Sequence, residues 1–106
     1  MAIESVTLGA AGTSPPIDLS RGYPPTGLLF NVPAGVTVSA SVNVAGYQNG
    51  PWNPHDTMVG MTASQNGNIQ FSCGFVQLVV ASFSGPAGSV VTLTVMQGSQ
   101  NSLMAP

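Results

Sequence analysis

Apolar and polar residues alternate with a period of two along much of this chain. The clearest run covers residues 36–44, where Val36, Val38, Ala40, Val42 and Val44 interleave with Thr37, Ser39, Ser41 and Asn43. In an extended backbone successive side chains point to opposite faces, so this run predicts a strand with an apolar face and a hydroxyl face. Such a strand belongs in an antiparallel sheet with one covered side. Residues 90–96 repeat the pattern, with Val91, Leu93 and Val95 set against Thr92 and Thr94. Residues 3–8 predict a first strand that stops at Gly9, and residues 28–32 a short buried one followed by a Pro33-Ala34-Gly35 turn. Residues 75–83 are nearly continuous in apolar character and predict a central strand covered on both faces.

Gly and Pro punctuate these runs. Residues 9–16 read as a loop or arm, and Pro24-Pro25 places its segment at a sheet edge or in a crossing between sheets, because two donors are missing there. Residues 46–56 hold two Pro, two Gly and two Asn and read as a long irregular connection. Residues 56–63 are ambiguous: Asp56 is expected to cap one short helical turn that leads into a strand, the alternative being a strand over residues 57–63. Gln65-Asn66-Gly67-Asn68 predicts a hairpin turn, with residues 68–72 pairing back and Ile69 and Phe71 facing inward. Gly85-Pro86-Ala87-Gly88 is a further turn. The sum is an all-β, single-domain antiparallel β-sandwich, jelly-roll-like, with seven or eight short strands. Residues 1–27 supply an N-terminal strand and a Pro/Gly-rich arm of that same domain. Residues 28–97 form the sandwich core, and residues 98–106 a polar tail.

The length of 106 residues suffices for one core without a disulfide or metal. Charge changes the picture more. Only 4% of residues are charged, against about a quarter in ordinary domains. Arg21 is the only fixed cation; Glu4, Asp18 and Asp56 are the only acids. One Arg cannot neutralise a run of phosphates or hold an anionic bilayer, so neither nucleic acid nor membrane is an expected partner. No apolar run reaches the ~20 residues of a membrane-spanning helix. The N-terminus shows no basic-then-apolar leader pattern, so the chain is expected in the cytoplasm of the producing cell or in a particle assembled there. Cys73 is the only cysteine and reads as a small core hydrophobe. The methionines after Met1 read as fillers of core gaps.

Rare residues gather between positions 47 and 56, which hold the only Trp, the only His, one of two Tyr and one of three acids. Tyr47, Trp52, Asn53, His55 and Asp56 are therefore the candidate interface or ligand residues. Catalysis lacks partners here. A nucleophile–His–acid arrangement would need Asp18 or Glu4 to orient His55 from far along the chain, and no serine is marked as a nucleophile. His55 and Asp56 are adjacent, so in a regular strand they would point apart. Their spacing fits no structural zinc pattern, and calcium would need more carboxylates. No catalytic residue, cofactor or metal is expected, and the chain is read as no enzyme. Trp52 reads as a plug at one end of the sandwich or as a contact anchor; with Tyr47, Asn49 and Asn53 it could also stack on a sugar.

Sandwich edges are ordinarily guarded by charge, Pro or bulges. With Lys absent, either the Pro-rich segments at residues 13–16 and 23–25 cover these edges or neighbouring subunits pair with them. Four pieces carry a family resemblance: Phe30-Asn31-Val32-Pro33-Ala34-Gly35-Val36-Thr37-Val38; Trp52-Asn53-Pro54-His55-Asp56; Met58-Val59-Gly60-Met61-Thr62-Ala63-Ser64 with Asn66-Gly67-Asn68-Ile69; and Val91-Thr92-Leu93-Thr94-Val95-Met96-Gln97. Together they resemble the small β-sandwich structural proteins of tailed bacteriophages that decorate or cement the capsid, often as trimers. The resemblance spans roughly residues 28–97, and its strongest piece is the Trp52–Asp56 stretch. It implies a virion location, assembly in the host cytoplasm, binding to the major capsid protein and to further copies of the chain, and no catalytic residues. A carbohydrate- or receptor-binding module of a head or tail appendage is the alternative.

Overall fold

A computed structural model describes residues 2–19, 23–70 and 73–98. Among them there is no helix; nine strand segments run in chain order as β1 (Ala2–Leu8), β2 (Gly12–Thr13), β3 (Ile17–Asp18), β4 (Tyr23–Asn31), β5 (Thr37–Ala45), β6 (Asn53–Met61), β7 (Gln65–Ile69), β8 (Phe75–Ser84) and β9 (Val91–Gly98). One sheet has the order β1-β9-β4-β7. The other has β2-β8-β5-β6, with β3 also on β8. All pairings are antiparallel.

β2 and β3 are one strand broken in the middle. Gly12 and Thr13 face Val80 and Val79, while Ile17 and Asp18 face Val76 and Phe75, a slip of one residue that falls at Pro15-Pro16. Counted so, eight strands make two four-stranded sheets, and the chain passes between the sheets in the order of a jelly roll. Ser14 bridges the break. Its N–H donates to Leu78 O at 2.8 Å, and its buried hydroxyl accepts from Leu78 N–H at 2.9 Å and donates to Pro15 O at 3.1 Å.

The alternation in β5 settles the core. Val38, Ala40, Val42 and Val44 are buried with Leu28, Phe30, Ile69, Val76, Leu78, Val91, Leu93 and Val95 from both sheets. Each of the Val, Leu, Ile and Phe side chains among them contributes about 1.5–3 kcal/mol relative to exposure. On the outer face hydroxyls bond one another in place of charge pairs: Ser5 Oγ to Thr94 Oγ1 at 2.9 Å and Thr7 Oγ1 to Thr92 Oγ1 at 3.4 Å. Inside, Gln97 Nε2 donates to Thr26 Oγ1 at 3.2 Å, so these two buried polar side chains satisfy each other.

Three expectations are corrected. Residues 65–69 are not a hairpin turn; Asn66-Gly67 lies within β7, where Gly67 faces Leu28 of β4. Ile69 does face inward as expected and is fully buried. Phe71 lies outside the described residues. β8 is central in its sheet, yet it alternates: Val76, Leu78 and Val80 are buried, while Phe75 and Val79 on its outer face stay half-exposed. The Pro24-Pro25 piece falls at the start of β4, before its pairing with β7 begins at Thr26 and where its register with β9 shifts. Cys73 is half-buried against the core rather than inside it. Among the other methionines Met58 is buried and Met61 packs on the core.

Candidate contact site at the Trp52 turn and the His55–Asp56 bulge

The connection from β5 to β6 is shorter than its composition suggests. A tight turn closes it, with Gly50 N–H donating to Tyr47 O at 2.9 Å. Gly50 has φ +87°, a left-handed conformation that glycine adopts at little cost. The Trp52 ring lies on this glycine: a Cβ at position 50 would stand 2.9 Å from Trp52 Cδ1. Trp52 is half-buried and outside the core cluster, so it is a cover on its own turn rather than a plug in the sandwich. Tyr47 is 74% exposed at the tip of the turn. Asn53 is exposed and opens β6 opposite Val44.

β6 runs from Asn53 to Met61, so Asp56 sits inside a strand, opposite Val42, and caps no helical turn. The register between β5 and β6 shifts between Val42 and Asn43: Val42 faces Asp56, but Asn43 faces Pro54, leaving His55 as an extra residue. A bulge of this kind bends the strand and re-aims its side chains. His55 and Asp56 therefore do not diverge. His55 Nε2–H donates to Asn68 O at 2.9 Å, and Gln65 Nε2 approaches Asp56 Oδ2 at 3.5 Å. Both partners belong to β7, the edge strand of the opposite sheet. Gly67 lies beside the carboxylate: a Cβ there would be in ordinary contact with Asp56 Oδ2, at 3.6 Å. The two sheets are thus laced together along one open side.

Beside the lacing lies a shallow cleft lined by Leu28, Phe30, Val42, Met58, Asp56 and Gln65. It has room for no more than about one water molecule, so it is a packing seam. Neither Tyr47 nor Trp52 lines it.

The five candidate residues thus divide into a turn tip (Tyr47, Trp52, Asn53) and a sheet-to-sheet tie (His55, Asp56). The acids that might have oriented His55 are elsewhere. Asp18 is on the far edge of the β8 sheet, three strand spacings or about 14 Å from β6. Glu4 is on β1, at the opposite edge of its sheet from β7. Among the described residues no group of three or more His, Cys, Asp or Glu side chains could hold a metal ion. No described helix is long and apolar enough to cross a membrane. Burial pushes the Cys73 thiol above its ordinary range, away from nucleophilic use. Compared with family models, curated proteins and solved structures, the chain matches none.

Proposed function

We propose that this chain is a non-enzymatic structural protein of a virion, which decorates or cements a phage capsid through contacts between subunits. The observation that supports this reading most is the strand order: two four-stranded sheets wound as a jelly roll, an architecture that recurs in viral shell components. The surface agrees with a life in an assembly. It carries almost no charge, its hydroxyls satisfy one another, and Ile3, Tyr47, Val59 and Val90 stand exposed. On this reading the partners are the major capsid protein and further copies of the chain. The location is the virion, after assembly in the host cytoplasm. The test is co-sedimentation of the purified chain with capsid shells: saturable binding that raises the temperature at which shells disrupt supports the proposal, and shells that leave the chain in the supernatant refute it.

A second reading, a carbohydrate- or receptor-binding module of a head or tail appendage, draws on Tyr47, which stands exposed on the turn that Trp52 covers. Quenching or a blue shift of Trp52 fluorescence by oligosaccharides would favour it over the first.

A further inference from the structure

Four strand edges close this sandwich, and three are guarded by backbone geometry rather than by charge. The β2–β3 edge is cut in two by Pro15-Pro16. The β6 edge carries Pro54, register shifts at both ends of its pairing with β5, and Gly60 at φ +61°. The β7 edge is five residues long, contains Gly67, and has its Asn68 carbonyl taken by His55. Bulges, prolines and short lengths are how sheets avoid pairing with other chains.

β1 has none of these features. Its seven residues stay in one unbroken register with β9, from Ala2↔Gln97 to Leu8↔Val91. It contains no Pro, Gly, Lys or Arg, and its one charge is Glu4. Among the described residues no strand pairs with its outer side. Ile3 on this strand is 58% exposed.

We infer that β1 is a self-association edge, and that its occupant is β1 of a second copy, antiparallel across a two-fold axis at Ser5. Symmetry selects the register. An isologous contact requires that if residue i faces j, then j faces i, so some residue must face itself. Centring on Ser5, the midpoint of Ala2–Leu8, is the one choice that pairs all seven residues. It sets Ala2 against Leu8, Ile3 against Thr7 and Glu4 against Val6. Centring on Glu4 instead would oppose two carboxylates, which is unfavourable. With Ser5 on the axis the two Glu4 side chains are diagonal neighbours, each facing a valine. The two β1-β9-β4-β7 sheets then join into one eight-stranded sheet, and each exposed Ile3 gains a threonine methyl beside it.

This contact deepens the proposed assembly role, but it is tested on the isolated chain, so it can fail while binding to shells stands, and the reverse. Sedimentation of the full chain should show a concentration-dependent shift from 10.7 kDa to twice that mass. Ser5→Lys, which sets two ammonium groups face to face, should weaken the shift by about tenfold or more at unchanged circular dichroism. Thr57→Lys on the guarded β6 edge should leave it intact. In a Cys73→Ser background, Ser5→Cys should give a covalent dimer with diamide, and Ile3→Cys should not, because only residue 5 faces itself. The inference is overturned by a chain that stays at 10.7 kDa, by a trimer indifferent to Ser5→Lys, by loss of association in Thr57→Lys, or by cross-linking of Ile3→Cys as fast as Ser5→Cys.

Discussion

The imidazole of His55 donates from Nε2 to the carbonyl oxygen of Asn68 at 2.9 Å, and so ties the edge strand of one sheet to the edge strand of the other. The only histidine of the chain, in the stretch richest in rare residues, serves as a structural clasp. A β-bulge makes the clasp possible, because it inserts His55 between residues that pair with Val42 and Asn43.

Removing the clasp should weaken the fold without abolishing it. His55→Ala leaves a partly exposed carbonyl that water can serve, so the expected loss is about 0.5–1.5 kcal/mol in urea denaturation. A variant as stable as the wild type would show that the hydrogen bond contributes nothing.

Ser14 should matter more than its exposed neighbour Thr13. Its hydroxyl accepts the Leu78 N–H at 2.9 Å inside the fold, and Ser14→Ala leaves that donor buried without an acceptor. The expected cost is about 1–3 kcal/mol, against little for Thr13→Ala, both read from denaturant midpoints.

Gly50 and Gly88 form a matched pair, with φ of +87° and +84°. An added Cβ meets Trp52 Cδ1 at 2.9 Å at position 50 and nothing within 4 Å at position 88. Both alanine variants carry the backbone strain of about 1 kcal/mol. Gly50→Ala alone should also displace the indole, seen as a larger loss of stability and a red shift of Trp52 emission. Equal losses with unchanged emission would contradict the contact.

These comparisons separate what the residues announce from what only the fold creates. The alternation in residues 36–44 marks β5 because each core side chain there is set by its own position along one strand. Asn66-Gly67 misleads: the dipeptide favours a turn locally, but continuous pairing of residues 65–69 with β4 overrides it. The convergence of His55 and Asp56 on β7 depends on a register shift between two strands, which no single strand encodes. Ser14 looks like any loop serine until Leu78, distant in sequence, lies beside it. The gathering of rare residues at 47–56 does not stay together in the fold: it divides into a covered turn at Trp52 and a clasp at His55.

Cys73 gives a pH-dependent prediction. Burial raises its thiol above the ordinary range, so at a given pH the native chain holds less thiolate than an unfolded one. Iodoacetamide should therefore react more slowly with the native protein than with the same chain in urea. Because the raised value belongs to the folded state, the stability it contributes is complete below the unfolded thiol's range and falls as pH rises through the folded one. Equal rates in native and denatured protein would contradict the shift.

The decisive measurement is electron cryomicroscopy of capsid shells incubated with an excess of the purified chain. A capsid-decorating chain should give ordered density of two-layered β modules on the shell surface, touching both the major capsid protein and one another. Shells without added density, from samples in which the chain stays soluble and folded, would contradict that role.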